Sequence, residues 1–288
     1  MNRKSLASVF GFLFLILGCR SASLPAQSDC RELRVMTFNI RYGTAADGEN
    51  HWAKRKDLTF AVISTHQPDV VGLQEALRFQ IEEILQAVPG YGMLGVGRDD
   101  GKTQGEHSAV LYRSDRFKVL ADGNFWFSDT PDVPGSKHWG NQITRICTWA
   151  RFETKDRAHR FYFYNLHLDH QSQPSREKSA ELLLQKIQGR EHQDPVVVTG
   201  DFNSGETNPA VVTLKGQFRD TYRVIHPEEK DVATFGGFKT PPPGGDKIDY
   251  VFALPSLRVR EAAIVRDQQD GRYPSDHLPV TATICLDH

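Results

Sequence analysis

The sequence predicts an α+β protein in which β-sheets pack against each other and a few helices cover them. Three observations predict this class. Short apolar runs, alternating or rich in β-branched and aromatic residues, recur along the chain with turn residues between them. Few segments have apolar residues at helical spacing. The 288 residues are 39% hydrophobic and 25% charged, which is typical of soluble globular proteins and not of disordered or fibrous ones.

Runs of strand character outnumber segments of helical character. The helical segments are residues 53–66, 76–88 and 175–188. In the first of these, Leu58, Ala61, Val62 and Thr65 are predicted to form the buried face. The predicted strands are residues 33–40, 70–74, 91–96, 108–112, 117–120, 143–152, 161–168, 196–199, 248–253, 259–265 and 278–285.

The first 18 residues have the form of a secretory signal peptide. A basic head precedes an apolar run from Leu6 to Leu17, which is shorter than the roughly 20 residues that a membrane-spanning helix needs. The run ends in Gly18-Cys19 and resembles a lipobox, in which Cys19 is lipidated; cleavage near residues 21–23 is the alternative. We therefore expect a signal peptide over 1–18, a tether over 19–30, a catalytic domain over 31–288 and an extracytoplasmic, lipid-anchored location.

Charge and cysteine content exclude several classes of function. The 35 Lys and Arg residues nearly balance the 36 Asp and Glu residues, so the net charge is −1. Proteins that hold duplex nucleic acid through many phosphate contacts usually have a basic excess, so tight duplex binding is not expected. Four scattered cysteines are too few for a disulfide-rich scaffold, and they lack the spacing of a zinc site.

Polar residues cluster where predicted strands begin or end. Each cluster joins carboxylate, carboxamide or imidazole groups to an apolar run, so several polar strand ends are expected to meet at one site. The clusters are residues 37–40 (Thr-Phe-Asn-Ile), 73–75 (Leu-Gln-Glu), 165–170 (Asn-Leu-His-Leu-Asp-His), 199–203 (Thr-Gly-Asp-Phe-Asn), 247–252 (Lys-Ile-Asp-Tyr-Val-Phe) and 275–280 (Ser-Asp-His-Leu-Pro-Val).

The chemistry of these clusters points to hydrolysis of a phosphate ester. Oxygen ligands such as those of Glu75 and Asp276 suit Mg²⁺ or Mn²⁺. The sequence has neither a Gly-x-Ser-x-Gly motif nor a P-loop, so acyl transfer and nucleotide-driven phosphotransfer lose support. Carboxylates, a metal ion and histidines together can position and activate a water molecule for attack on phosphorus.

With all six clusters present in order, the chain from about residue 33 to 286 resembles the endonuclease/exonuclease/phosphatase superfamily of DNase I-like, metal-dependent phosphoesterases. Residues 97–101 and 167–170 are similar to those of a bacterial subgroup of exported or cytosolic hydrolases. The resemblance implies a four-layer α/β/β/α sandwich. Two mixed, mostly antiparallel sheets would pack face to face, with the site at one end of the sheets.

The resemblance also assigns roles to individual residues. Glu75 is the expected main metal ligand, helped by Asn39, and Asp276 serves a metal ion or the nucleophile. Asp201 is expected to orient or deprotonate the attacking water. Asn203 is expected to hold that water and a phosphate oxygen.

Two histidines complete the expected machinery. His277 would face the phosphate, with Asp249 accepting a hydrogen bond from its other nitrogen and fixing its tautomer. His167 would be a second imidazole facing the phosphate. Considered one at a time, these residues have simpler interpretations: Asp201 can cap a turn, and Glu75 can be an acid at a helix N-terminus.

Further residues are expected to contact the substrate. Arg41 stands two positions after the motif asparagine, where abasic-site endonucleases carry an acid, and this departure argues against a DNA-repair function. For the tryptophans, burial in the core is the competing interpretation. The expected substrate-binding residues are Arg41, Trp52, Arg55, Arg98, Trp126 and Arg145.

The resemblance bears on the cysteines as well. Cys30 precedes the first strand and Cys285 ends the last, and in the family fold these strands lie in one sheet. If they are antiparallel neighbours, a disulfide can join them, as an oxidising compartment would allow. The alternative is two unpaired thiols. Cys147 is expected to be a buried free thiol.

Together these observations predict an exported Mg²⁺- or Mn²⁺-dependent phosphoesterase. Its expected substrate is a small phosphorylated compound such as a sugar phosphate, a nucleotide or a lipid headgroup. The balanced charge and the Pro-, Gly- and Trp-rich segment 123–141, which can enclose a cleft, favour a small substrate. A secreted nuclease is the alternative. A catalytically inactive, ligand-binding lipoprotein is disfavoured because Glu75, Asp201 and His277 are all present.

Overall fold

The computed structural model describes Met1 and residues 30–286, and these form two six-stranded sheets packed face to face. The predicted signal peptide, the lipidation site Cys19 and nearly all of the tether lie outside the described residues. In spatial order, the first sheet contains β11 (Arg258–Ile264), β12 (Val280–Cys285), β1 (Glu32–Asn39), β2 (Val70–Gln74), β4 (Val110–Arg113) and β3 (Tyr91–Leu94). The second contains β5 (Phe117–Trp126), β6 (Ile146–Thr154), β7 (Arg160–His167), β8 (Val196–Asp201), β10 (Asp249–Ala253) and β9 (Arg219–Asp220).

Helices cover the outer faces of both sheets. The helices α1 (Trp52–His66) and α2 (Arg78–Ala87) pack on the first sheet, and α3 (Gln173–Gln188) and α4 (Pro209–Lys215) pack on the second. The short α5 (Thr221–Ile225) packs against β10 and β11. The predicted four-layer sandwich is therefore confirmed. In the described part of the chain, no helix combines the length and the apolar character needed to cross a membrane.

The two sheets are held together by alternating strand residues. On β7, Phe161 and Phe163 point into the core between the sheets, whereas Tyr162 and Tyr164 point outwards to the side covered by α3. This alternation follows from the two-residue period of a strand. Because β7 is buried on both faces, its residues 161–164 are all aromatic and do not alternate with polar residues.

A buried polar contact joins the sheets beneath one end of the sandwich. The side chain of Gln74 donates hydrogen bonds to Thr37 Oγ1 at 3.0 Å and to Asn165 Oδ1 at 2.6 Å. The Asn165 amide in turn donates to backbone carbonyls of Leu73 and Ala109 on the opposite sheet. The Gln74 nitrogen and both polar atoms of Asn165 have partners in this contact, whereas Gln74 Oε1 is buried without one among the described residues. The contact fixes how the two sheets meet just below the candidate site.

Several predicted elements need correction. The buried face of α1 consists of Trp52, Arg55, Thr59, Val62 and Ile63, so only Val62 of the predicted face is buried. Polar residues are buried there because they bind backbone carbonyls: Arg55 and Thr59 both donate to Pro274 O. Hydropathy alone places such residues on the surface.

Element boundaries also differ. The helix predicted from residue 76 begins at Arg78, because Ala76 forms an isolated bridge with His107 instead. The strand predicted over 117–120 continues to Trp126, and α4 and α5 were not predicted. These two helices are short, with 7 and 5 residues, so they carry too little periodicity to be detected.

The predicted disulfide between Cys30 and Cys285 is present, with the Cα atoms 5.4 Å apart. Its basis is the expected one: β1 and β12 are antiparallel neighbours, and Glu32 lies opposite Cys285. Cys147 is a buried free thiol, as predicted.

Candidate active site

Polar side chains from both sheets meet at a cavity of about 340 Å³ at one end of the sandwich. The parallel strands β1 and β2 bring Asn39 and Glu75 to the same edge. In the second sheet, Asp201 ends β8 and lies opposite Asp249, the first residue of antiparallel β10. His277 reaches this site from the segment that leads into β12. Strand ends from both sheets therefore build the site.

A hydrogen-bond network connects the central residues. Asn39 Nδ2 donates to Asp201 Oδ2 at 2.9 Å and to Glu75 Oε1 at 3.1 Å. The expected hydrogen bond between His277 Nδ1 and Asp249 Oδ2 is present at 3.0 Å. The other imidazole nitrogen, Nε2, lies 3.7 Å from Asp201 Oδ2. Asp249 thus binds one ring nitrogen, and Nε2 is directed to Asp201 and the cavity.

Burial and neighbouring charges perturb the protonation of this cluster. Burial raises the pKa of Asp201 to about 7, and the nearby charge of Asp249 adds to the effect. Burial alone lowers the pKa of His277, but the charges of Asp249 and Asp201 outweigh it and raise that pKa well above 6.5. A carboxyl with a pKa near neutrality is suited to accept a proton from water, and a protonated imidazole is suited to stabilise negative charge.

Arg41 lies between two acids of the predicted metal site. Its Nη1 is 4.0 Å from Glu75 Oε2, and its Nε is 3.8 Å from Asp276 Oδ2. The guanidinium also forms two hydrogen bonds with Asp47, of 3.1 and 3.0 Å, and these raise its pKa. Arg41 lines the cavity, as predicted, but much of its charge is balanced by three carboxylates.

The donor atoms fit a hard divalent cation. The carboxylates of Glu75 and Asp276 approach one cation, the guanidinium of Arg41, from two sides, and Mg²⁺ and Mn²⁺ prefer such oxygen ligands. A second group of candidate ligand atoms, on Asp201, Asp249 and His277, lies within 4.8 Å of one another. In that group the histidine already uses Nδ1 for Asp249, and a cation held by Glu75 and Asp276 would leave that hydrogen bond intact.

The amide of Asn39 lies beside Glu75, and its predicted part in metal binding stays a prediction. Its Oδ1 accepts a hydrogen bond from the backbone N–H of Arg41 at 3.0 Å, and its Nδ2 faces the acids. This orientation is favoured because Glu75 and Asp201 both require a donor. In the described arrangement Asn39 positions the two carboxylates.

Three residues at the site have left-handed backbone conformations. Their φ angles are 55° at Arg41, 55° at Glu75 and 47° at Asn203. Such conformations cost roughly 1–3 kcal/mol each for residues other than glycine and persist where the surroundings impose them. Here local hydrogen bonds impose these conformations. The N–H of Asn203 donates to Asp201 Oδ1 at 2.9 Å, and the N–H of Tyr42 donates to Glu75 Oε2 at 3.2 Å.

His167 and Asn203 form a second polar pair on the wall of the cavity. Asn203 Nδ2 lies 3.0 Å from His167 Nε2 and 3.0 Å from Leu168 O. Burial lowers the pKa of His167 well below 6.5, and the charge of Arg145 lowers it further. A neutral ring that accepts at Nε2 carries its proton on Nδ1. His167 is therefore suited to orient polar groups as a neutral imidazole.

Two further arginines line the cavity. Arg145 is almost fully buried, with Nη2 2.9 Å from His170 Nδ1 and Nε 3.4 Å from Asp169 Oδ2. Arg98 forms two hydrogen bonds with Glu106, of 2.6 and 2.8 Å. Both predicted contacts, Arg98 and Arg145, are therefore at the cavity. Arg145 keeps more of its charge available, because its contact with Asp169 is longer.

The match to a family model decides what this site belongs to. Residues 36–277 match the model described as "Endonuclease/Exonuclease/phosphatase family". The chain belongs to this family. The matched range includes Asn39, Glu75, Asp201, Asp249 and His277, the residues that the fold brings together.

Solved bacterial structures are similar over nearly the whole domain. An endonuclease/exonuclease/phosphatase family protein from Bacteroides thetaiotaomicron has a TM-score of 0.83 and 35% identity, covering 90% of this chain and 99% of that one. A mannosyl-6-phosphatase from Bacteroides thetaiotaomicron VPI-5482 has a TM-score of 0.81 and 35% identity, covering 88% of this chain and 99% of that one. Nocturnin from Mus musculus is 23% identical, over 93% of this chain and 67% of nocturnin.

Three predicted substrate contacts need correction within this family site. Arg55 is fully buried and donates to the backbone carbonyls of Ile40 and Pro274, so it ties the end of β1 to the segment that carries His277. Trp52 is buried in the core and donates to Glu83. Trp126 is buried and donates to the backbone carbonyl of Arg98 at 2.6 Å. These side chains are buried behind the site and do not line its cavity.

The sequence interpretation missed residues that line the cavity. Glu106 is partly buried beside Arg98, and burial raises its pKa. Phe235 is half exposed, and its ring centroid lies 5.0 Å from that of His277. Glu106 lies outside the polar strand-end clusters, and Phe235 lies in a loop, so neither had a sequence signal. Glu106 comes close to Arg98, and Phe235 comes close to His277, only when the chain folds.

Proposed function

We propose that this protein is a divalent-metal-dependent phosphomonoesterase that releases phosphate from a sugar phosphate. The observation that carries the proposal is the convergence of Asp201, His277 and Arg145 on one cavity of about 340 Å³. That volume lies in the range of about 300–1,000 Å³ typical of small-molecule sites. The similarity to a mannosyl-6-phosphatase at 35% identity supports a sugar as the group that carries the phosphate.

The charges at the cavity suit a phosphomonoester. Asp201, Glu75 and Asp276 are acids that would repel an anion unless cations were present. Glu75 and Asp276 would hold Mg²⁺ or Mn²⁺, and the ion when bound supplies positive charge that offsets that of the phosphate. Arg145 would bind phosphate oxygens from the opposite wall, since a guanidinium matches their geometry.

The chain's own groups can handle the attacking water. Asp201 Oδ2 would accept the proton of the water molecule, and the amide of Asn39, 2.9 Å away, keeps that oxygen in position. His277, protonated and held by Asp249, would direct its Nε2–H to a phosphate oxygen and stabilise the charge that develops there. Asn203 would orient His167 beside the same oxygens.

We also propose that the protein acts outside the cytoplasm. The apolar run from Leu6 to Leu17 after a basic head supports export, and Gly18-Cys19 supports a lipid anchor. The disulfide between Cys30 and Cys285 supports the same location, because such bonds persist in oxidising compartments. Radiolabelled palmitate incorporated into the wild type, but not into Cys19→Ser, is the expected result for the anchor; equal labelling of both would contradict it.

A substrate panel tests the proposed reaction. Mannose 6-phosphate, glucose 6-phosphate, AMP, bis-p-nitrophenyl phosphate and plasmid DNA are each supplied with Mg²⁺, with Mn²⁺ and with chelator. We expect the highest kcat/KM on a sugar phosphate with metal, and no turnover in chelator. A higher kcat/KM on the diester, with efficient cleavage of plasmid DNA, would contradict the proposal and favour a secreted nuclease.

A further inference from the structure

A second cavity lies on the outer face of the second sheet, away from the candidate active site. Its volume is about 480 Å³, and it lies over β5, β6 and β7 beside the C-terminal end of α3. Among the described residues, it shares no lining residue with the active-site cavity. Its lining includes Trp149, Arg151, Tyr162, Tyr164, Lys186 and Arg190.

Strand register builds an aromatic floor for this cavity. Trp149 on β6 lies opposite Gly123 on β5 and opposite Tyr164 on β7, and Tyr162 is two residues further along the same face. The ring centroids of Trp149 lie 6.4 Å from Tyr164 and 6.1 Å from Tyr162. A Cβ at Gly123 would lie 2.9 Å from the indole nitrogen, so only glycine leaves room for this indole position. Three rings thus lie side by side.

The floor carries hydrogen-bonding groups without partners. Tyr162 and Tyr164 are each 3% exposed, yet neither hydroxyl has a hydrogen-bond partner within residues 30–286. Burial raises the pKa of Tyr164, which keeps its hydroxyl protonated. Buried polar groups nearly always have a partner, from the protein or from water, and these two hydroxyls open onto the cavity, where water can reach them. These two phenols are therefore available to hydrogen-bond a ligand that offers hydroxyl groups in place of water.

Three cations around the cavity, Arg151, Lys186 and Arg190, are matched in number by three nearby carboxylates, Asp132, Glu191 and Asp194. Arg151 Nε lies 2.6 Å from Asp194 Oδ2, and Lys186 Nζ lies 3.3 Å from Asp132 Oδ1. The Nη atoms of Arg190 donate to backbone carbonyls, one of them that of Asp194. A phosphate or carboxylate ligand needs an uncompensated cation, whereas a neutral ligand does not. The balance therefore favours a neutral ligand.

We propose that this second cavity is a binding site for a neutral saccharide of one or two sugar units. The C–H face of a pyranose ring would pack on Trp149, because these slightly positive C–H groups match the electron-rich face of an indole. Sugar hydroxyls would supply the missing partners of Tyr162 and Tyr164. The site is independent of the proposed phosphatase reaction and would hold the protein close to glycans.

Calorimetry and saturation-transfer NMR on the full chain test this site directly. The probes are α-1,6-mannobiose, maltose and cellobiose at millimolar concentration, with Mg²⁺ and saturating inorganic phosphate to occupy the active site. We expect at least one disaccharide to bind, and to bind equally well with and without phosphate. Failure of all three to bind, or displacement by phosphate, would overturn the proposal. Tighter binding of AMP than of every sugar would overturn the assigned ligand class.

Variants locate the binding. Tyr162→Phe combined with Tyr164→Phe removes two hydroxyls without changing ring size, and should weaken saccharide binding about tenfold, the effect of two hydrogen bonds. Trp149→Ala should weaken it by a similar factor. Tyr112→Phe, a matched hydroxyl deletion on β4 of the other sheet, should bind like the wild type. Unchanged binding in the double phenylalanine variant would place the saccharide elsewhere and overturn the proposal.

Discussion

Asp249 Oδ2 lies 3.0 Å from His277 Nδ1, and both side chains are buried at the point where the two sheets end. The contact leaves Nε2 of the ring as the nitrogen on the side of Asp201, at 3.7 Å. Because Asp249 is the first residue of β10 and lies opposite Asp201 in the sheet, the ladder itself sets the spacing among the three groups. The imidazole is thus oriented by sheet geometry.

Replacing Asp249 by asparagine tests this positioning. Asp249→Asn keeps the size of the side chain but removes its charge, so the protonated ring loses its partner. We expect kcat to fall about 10²- to 10⁴-fold, the usual contribution of a positioned acid or base. The ¹⁵N shifts of His277 should change at the same time. Asp267→Asn, at an exposed carboxylate that binds His66, is the control, and equal kcat in the two variants would contradict the assigned role.

Removing a predicted metal ligand should change the Mg²⁺ requirement of the enzyme, whereas removing the predicted base should change kcat. Glu75→Gln and Asp276→Asn should raise the Mg²⁺ concentration needed for half-maximal activity. Asp201→Asn should lower kcat by about 10²-fold or more with little change in that concentration, because its oxygen is held by Asn39 for proton transfer. Magnesium titrations of all three variants separate the effects. Full activity of the wild type in chelator would contradict the metal-dependent mechanism.

Arg145 should contribute to substrate binding. Arg145→Gln removes a buried guanidinium at the cavity, while Asp169 keeps hydrogen bonds from the N–H groups of Gln171 and Ser172. We expect KM for a phosphomonoester to rise about 10- to 100-fold, because hydrogen bonds to charged groups contribute roughly 1.5–3 kcal/mol. Steady-state kinetics measure this effect. A KM equal to that of the wild type would show that Arg145 does not contact the phosphate.

The disulfide should stabilise the domain. It joins Cys30 to Cys285 across 255 residues, and in the chain-entropy model a loop of this length contributes on the order of 5 kcal/mol. Cys30→Ser combined with Cys285→Ser should therefore lower the urea midpoint of unfolding. Reductant should lower the midpoint of the wild type by a similar amount. The double variant should not respond to reductant. A wild-type midpoint insensitive to complete reduction would contradict the prediction.

Much of the fold was predictable because its strands have strong local signals. The strand β7 is rich in aromatic residues and β8 in β-branched ones. They end at His167 and Asp201, respectively. The side of α1 that faces the core was not predictable, since Arg55 and Thr59 are buried only through their bonds to Pro274 O, 215 or more residues away. No local pattern encodes such a partner.

The site likewise has features that local sequence predicts and features that only the fold determines. The principal acids and His277 stand in short motifs at strand ends, so their convergence followed from the resemblance to a known family. The direction of the Asn39 amide did not, because it depends on the donors and acceptors around it in the fold. The same holds for the aromatic floor at Trp149, which forms by register between three strands. Sequence indicates which groups are available, and packing decides which atoms they present.

The central claim is a metal-dependent phosphomonoesterase with a small substrate. Its most direct test is a competition in one reaction, with mannose 6-phosphate and plasmid DNA present together with Mg²⁺ and low concentrations of enzyme. We predict release of inorganic phosphate with the plasmid left intact, and loss of that release in chelator and in Asp201→Asn. Rapid, salt-sensitive cleavage of the plasmid without phosphate release would contradict the account, because steep salt dependence reports many contacts to a nucleic-acid backbone.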